Sequence, residues 1–456
     1  MRVWARMAWL GLCLALLGCE PRSNKVHVTY WEKWTGAEGE AMQKVVDKFN
    51  RSQDRIVVEY LSVSRLDQKA LVATAGGDPP DLAGLWVFTI YSFADRNAVM
   101  PLDDFIKADG STPEKWLSRY APVYADMCSY RGQIWAVPTT PTMYALHWNK
   151  AMFRAAGMDP ERPPKTVAEL DDFAARLSKI DPKTGEILQL GFLPQEPGWM
   201  AWAYPQWFGG QLWDGQKITL DSPKNLDAYR WVESYSKKYG LDKIRGFTSG
   251  FGNFASPQNA FFGGKIAMVL QGVWMNNYIR QFAPGLEYGV SPLPVAAPGF
   301  ERFGAADADV LMIPRGAKHP KEAWEFIKYL SSHNQAAQRK EELAGVELLC
   351  YLQEKNSPLR EWSPFFTDHH PHPSIKLFRE LAASDQAVHL PKLGIWQEYA
   401  REQMSVFENV RLLQQSPAEA LRFGQERVSE SFRFHAESLE RRRARKQGSI
   451  REGAEP

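Results

Sequence analysis

The stretch Val26-His27-Val28-Thr29-Tyr30-Trp31-Glu32-Lys33-Trp34-Thr35-Gly36-Ala37-Glu38, continuing as GEAMQKVVDKFNRSQDRIVVEYLSV to Val63, decides the fold class. Val26, Val28 and Tyr30 alternate with His27, Thr29 and Trp31, the period of a half-buried strand. Thr35 followed three residues later by Glu38 reads as a capping box that opens a helix. Met42, Val45, Val46 and Phe49 then recur at i, i+3, i+4 and i+7 and predict one buried stripe. Ile56 to Val63 is β-branched and strand-like again. Strand, helix and strand in such close succession are the grammar of an α/β sheet.

The same grammar recurs outward from this stretch. Thr166 and Glu169 form a second capping box, with Leu170, Phe173, Ala174 and Leu177 on one predicted face. Pro320 opens a helix carrying Ala323, Phe326, Ile327 and Leu330, and Ser416 to Glu419 starts a terminal one. No short-period repeat is present, which argues against a solenoid. A chain of 456 residues with 44% hydrophobic and 24% charged residues is large enough for two domains and is no disordered polyelectrolyte. A net charge of +2 supplies no global field for a polyanion, so no nucleic-acid partner is expected. Arg441, Arg442, Arg443, Arg445 and Lys446 read as part of a basic flexible tail over 436–456. Two proline-bearing segments, Val137 to Pro141 and Ser291 to Pro294, interrupt the pattern and read either as strands crossing between domains or as surface loops.

Arg2 and Arg6 precede an apolar run from Met7 to Gly18, too short for a bilayer-spanning helix and suited to a cleaved signal. The run ends Leu16-Leu17-Gly18-Cys19, which resembles the bacterial lipobox. That resemblance implies a lipoprotein signal over 1–19, lipid on Cys19, and a tether over 20–25 that holds the protein outside the cytoplasm. Cys128 and Cys350 then remain in the mature chain, either as one disulfide or as two buried thiols.

Gly77-Asp78-Pro79-Pro80-Asp81-Leu82-Ala83, Gly132-Gln133-Ile134-Trp135-Ala136-Val137-Pro138, Phe262-Gly263-Gly264-Lys265-Ile266-Ala267-Met268 with Gly272-Val273-Trp274, and Val310-Leu311-Met312-Ile313-Pro314 follow one another in order. In that order they resemble the extracellular solute-binding proteins of carbohydrate ABC transporters, the family that includes maltose-binding protein. The resemblance spans roughly residues 26 to 435. It implies a two-lobed periplasmic-binding-protein-like fold of type II, with discontinuous α/β lobes, hinge crossings and a ligand cleft between them. The expected lobes are 26–137 with 293–335, and 142–290 with 336–435, and the two proline segments become the hinge.

A sugar presents hydroxyls, which need donors and acceptors, and apolar C–H faces, which suit flat rings; Trp or Tyr beside Asp, Glu, Asn, Gln and Arg is the matching lining. Of the 17 Trp, Trp4 and Trp9 lie in the leader, and many of the rest stand beside polar residues at turns. Trp31 and Trp34 flank Glu32 and Lys33 just past the first strand, where ligands of α/β sheets bind. Trp199 and Trp207 sit in aromatic turns. By resemblance, Trp86, Trp274 and Trp396 match the family's platforms, Glu32 and Lys33 its polar contacts after the first strand, and Arg65 or Asp67 those after the second. Thr142, Tyr144, Asp307 and Asp309 complete the expected contacts. Trp116, Trp231, Trp324 and Trp362 are expected in the core. His369-His370-Pro371-His372 is crowded beside prolines and reads as a solvated loop rather than a metal site.

No phosphate-binding glycine loop, zinc-protease helix or nucleophile elbow is found, so neither cofactor nor metal is expected. The expected function is that of an extracytoplasmic receptor, monomeric and lipid-anchored, that captures a carbohydrate by cleft closure and delivers it to a membrane permease. The competing readings are a glycan-active enzyme, since a Trp-lined cleft with two carboxylates also describes glycosidases, and a sensor that presents sugar to a receptor.

Overall fold

The computed structural model describes residues 25–198 and 200–452; the lipobox cysteine Cys19 and the candidate Trp199 lie outside the described residues. One eight-stranded sheet organises the chain: β1 (Val26–Glu32), β2 (Ile56–Ser62), β3 (Leu82–Trp86), β4 (Val137–Asn149), β5 (Met268–Gly272), β6 (Tyr288–Ser291), β7 (Gly304–Met312) and β8 (Ala387–Val388). β1 pairs in parallel with β2 and β3. β3 then pairs antiparallel with β7, and β7 with β4. The strand-helix-strand reading of the opening stretch holds. The Gly36–Ser52 helix buries Met42, Val45, Val46 and Phe49 on one face, as their spacing predicts.

Two hydrophobic cores share this sheet. The first gathers Val28, Tyr30, Leu82, Val310 and Phe326; the second gathers Leu146, Phe173, Trp207, Leu270 and Tyr399. β4 belongs to both. Its first half, Val137 to Met143, pairs with β7, and its second half, Tyr144 to Asn149, pairs with β5 and β6. Pro138 and Pro141 lie in the first half, where the register with β7 slips between Ala308 and Val310. A proline offers no N–H to a ladder, so it is tolerated at an edge or bulge of this kind.

The second expected crossing lies elsewhere. Ser291 still pairs with Leu146, Leu293 is buried in the second core, and Val295 exchanges backbone bonds with Lys165 and Val167. The change of core falls within β7, between Ala305 and Ala306. Pro292 and Pro294, without N–H groups, carry the chain along the second core instead. A third passage follows β8, which pairs with Gly304 and Ala305. Before it, Leu343, Leu349, Phe366 and Phe378 pack in the first core, although the expected division gave 336–435 to the second lobe; after it, Leu390 and Trp396 pack in the second.

The helix caps divide instructively. Thr166 and Glu169 close their box: Glu169 N–H donates to Thr166 Oγ1 at 3.1 Å, and Glu169 Oε2 accepts from Lys165 N at 2.7 Å. Thr35 makes no side-chain cap bond, and Glu38 instead pairs with Lys355 Nζ at 2.6 Å. Cys128 and Cys350 are both buried and unbonded. The histidine segment is no solvated loop: His372 is buried and accepts from Ser374 N through Nδ1, and His370 packs on Tyr351 and Phe366. Burial pushes both imidazoles down to about 3. Among the described residues no His, Cys, Asp and Glu group is arranged to hold a metal, and no helix is long and apolar enough to cross a membrane.

Trp116, Trp231, Trp324 and Trp362 are all buried, as expected. Trp324, on the Pro320–Leu330 helix, stacks near Trp116 and Phe105 at centroid distances of 4.8 and 5.7 Å and donates Nε1–H to Asp109 at 2.6 Å. Trp324→Ala is expected to lower the free energy of unfolding by about 3–5 kcal/mol. Urea denaturation measures it; a loss within about 0.5 kcal/mol, the range of surface changes, would contradict this packing.

Candidate functional site

The carboxyl ends of β1, β2 and β3 open on one side of the first core, where ligands of α/β sheets bind. Lys33 and Trp34 leave β1 there, Val63 to Leu66 leave β2, and Trp86 ends β3. Opposite them stand Tyr144 of β4, Trp274 just beyond β5, and Phe254 and Tyr278. Together they line a cavity of about 450 Å³ that also receives Arg65, Thr142, Asp307, Asp309, Glu38 and Lys355. A second cavity of about 840 Å³ adjoins it and is lined by Asp67, Phe88, Trp202, Trp396, Glu398 and Arg401 among others. The two meet at Trp86, Tyr144 and Asp307.

Lys33 is the electrostatic centre of the narrower cavity. Its Nζ lies 2.8 Å from Asp309 Oδ1 and 3.2 Å from Glu32 Oε1, and stands 4.9 and 5.3 Å from the ring centroids of Trp34 and Trp86. Burial opposes the charge, but the Asp309 and Glu32 carboxylates hold the ammonium above its usual range. Burial likewise works against Asp309, yet Lys33, Lys355 and the Thr140 hydroxyl at 3.0 Å keep it below the carboxylate range. Glu32 is 1% exposed and lines nothing; it accepts from Tyr30 OH at 2.7 Å and Lys33 N at 2.8 Å, and burial raises it. Gly84 leaves the room it needs, for a Cβ there would stand 1.7 Å from Glu32 Oε2.

The rings are held as firmly. Trp86, 39% exposed, stacks parallel to Phe88 at 5.9 Å. Trp274 meets Tyr144 edge-on at 5.8 Å and donates Nε1–H to Gln271 at 3.0 Å. Gly272 lies beneath that indole, where a Cβ would come within 2.5 Å of the ring. Asp307 contrasts with Asp309. One of its oxygens accepts from Ala308 N at 2.8 Å, and burial, with Asp309 nearby, pushes the carboxyl up to about 7 against the pull of that N–H and of Lys33.

The structure thus brings together Lys33, Trp34, Arg65, Asp67, Trp86, Thr142, Tyr144, Trp274, Asp307, Asp309 and Trp396. It leaves out three. Trp31 lines neither cavity and packs, partly buried, against the first core. Glu32 acts behind Lys33. Trp207 is wholly buried in the second core, with Nε1–H donated to Pro294 O at 2.7 Å. The residues missed include Glu38, whose spacing imitates a capping box, and Trp202, three residues after Trp199 in the sequence. Lys355, Phe254 and Tyr278 carry no local signal.

Two α/β cores joined by shared strands, with an aromatic and polar cleft between them, define a two-lobed ligand-binding protein. The profile described as bacterial extracellular solute-binding protein matches residues 33–337, and the chain belongs to that family. It is similar to the structure of CpMnBP1 with mannotriose bound, at 29% identity and a TM-score of 0.74, covering 88% of this chain and 100% of that one. It is 22% identical over 312 residues to the maltotriose-binding protein of Pyrococcus abyssi, covering 67% of this chain and 62% of the relative. It is 23% identical over 329 residues to the sn-glycerol-3-phosphate-binding periplasmic protein UgpB of Pectobacterium atrosepticum, covering 68% and 70%.

The raised Asp307 has a consequence for stability. A carboxyl whose folded value lies near 7, above the ordinary value of about 4, stabilises the fold at low pH, and that contribution is lost as pH rises from about 4 through about 7. Asp307→Asn is therefore expected to gain stability relative to the parent between pH 5 and pH 8. Paired urea titrations at the two pH values decide it, and a pH-independent difference would contradict the assignment.

Proposed function

We propose that this protein captures an oligosaccharide in the cleft between its lobes and hands it to the membrane subunits of an ABC importer. The observation that carries this reading is the junction at Trp86, Tyr144 and Asp307. There two cavities become one elongated space with rings from both cores on its walls and hydrogen-bonding groups between them. Flat indoles suit C–H faces of pyranose rings, and the interleaved carboxylates, amides and hydroxyls suit their hydroxyls. The mannotriose and maltotriose of the relatives' names point the same way. The lobes on this reading are 26–143 with 306–386, and 144–305 with 387–435, and a ligand touching both stabilises the closed arrangement.

The UgpB likeness raises a phosphate-bearing ligand, and charge argues against it. Lys33, Arg65, Lys355 and Arg401 are outnumbered by Glu38, Asp67, Asp307, Asp309 and Glu398 along the two cavities. Lys33 and Lys355 are already engaged with carboxylates, and Arg65 bonds Gln68. Of the two aspartates on β7, Asp309 has both oxygens occupied, by Lys33 and Thr140, and is not free to act as a glycosidase's second carboxylate. Binding without turnover is the reading these contacts support.

Titration calorimetry with mannotriose and maltotriose tests it. Trp86→Ala and Trp274→Ala are each expected to weaken binding roughly tenfold or more, since aromatic contact adds about 0.5–1.5 kcal/mol beyond the area buried. Wild-type affinity in both variants would remove the platforms from the site.

We further propose that the chain is held at the membrane by lipid on Cys19 and acts there as a monomer. Cys19→Ser is expected to abolish the acyl mass increment and move the protein from the membrane to the soluble fraction. An unlipidated parent cut at another residue would overturn the anchor.

A further inference from the structure

The two cavities differ in charge. Along the narrower one, Lys33, Arg65 and Lys355 balance Glu38, Asp307 and Asp309. Along the wider one, Asp67, Asp307 and Glu398 face a single cation, Arg401. That cation is exposed and engages Glu398 at 3.8 Å, on its own helix. Asp307 stands at the junction, one oxygen held by the Ala308 N–H at 2.8 Å and neither within salt-bridge distance of a described Lys or Arg. Both cavities are rich in aromatic rings; on the walls of the wider one these include Trp86, Phe88, Tyr144, Trp202 and Trp396. Carboxylates set among indole and phenol faces are the surroundings that favour an ammonium group over a hydroxyl: the carboxylate pairs with it and the ring faces attract it. They also disfavour an anion, for which the cavity's one cation, Arg401, already stands beside Glu398.

Resting on the carbohydrate reading of this cleft, we infer that its ligand carries a basic amine on the sugar unit held in the wider cavity, beside Asp307. The ligand class is an amino-sugar oligosaccharide, with a neutral unit stacked in the narrower cavity between Trp86 and Trp274. The proposal accounts for the different treatment of two aspartates on one strand. Asp309 is neutralised by the protein's own lysine, and Asp307 is left for the ligand.

The test is calorimetry at pH 7.5 on the whole mature chain with three trisaccharides: a fully de-N-acetylated glucosamine trimer, its N-acetylated counterpart and mannotriose. The expected result is at least tenfold tighter binding of the free-amine trimer than of either neutral sugar. Asp307→Asn, shown folded by its thermal melt, is expected to shrink that preference at least tenfold. Glu398→Gln, further along the same cavity, is expected to shrink it less. Binding of mannotriose or the N-acetylated trimer with no preference for the amine would overturn the inference and leave the carbohydrate reading standing. An amine preference unchanged in both variants would also overturn it. If none of the three trisaccharides binds, the carbohydrate reading falls and takes the inference with it.

Discussion

A single strand has to satisfy two cores, and most of the architecture follows from how β4 does so. Its backbone leaves β7 near Met143 and takes up β5 at Tyr144, so the ladder is continuous while the side chains pass from the first core to the second, Ala145 being the last in the first. The prolines and the slipped register confine the weakness to the first half, where only one neighbour is lost. Thr142 and Tyr144 lie at the changeover and line the cleft. A change in the angle between the cores would therefore act first on residues that line the cleft.

Electrostatics then divides the cleft into a fixed part and an available part. Removing an ammonium from water costs several kcal/mol unless partners replace the lost hydration. Around Lys33 they do, through Asp309, Glu32, and the faces of Trp34 and Trp86. The consequence is order: an ion pair engaged on several sides holds the two indoles in place before anything binds. Asp307 has no such partner, and its raised value is the thermodynamic trace of that difference.

The regular elements were legible because they rest on local periodicity. Met42, Val45, Val46 and Phe49 needed only their spacing to declare a buried face. The cleft was legible where a residue follows a strand end, as Trp34 does, and where the family resemblance located Lys33, Trp86, Trp274 and Trp396. It failed where the same local pattern has two physical uses. Gln206-Trp207 and Gln271-Gly272-Val273-Trp274 both set an indole beside polar and small residues, but one ring is sealed in the core by Pro294 and the other rests on a glycine at the cleft wall. Glu38 spelled a cap and instead answers Lys355, which arrives from a helix end far along the chain. Proline pairs misled in the same way: one pair sits in a crossing strand, the other merely turns within one core.

Cys128 and Cys350 are each enclosed by the first core, and burial raises both thiols. Thiolate is the species that attacks disulfides and reacts with oxidants, and the folded chain offers almost none of it. Outside the cytoplasm, where disulfide-forming catalysts are at work, these sulfurs are vulnerable only while the chain is still unfolded. Folding is their protection, and the speed with which the first core closes sets how much newly exported protein escapes a wrong covalent cross-link.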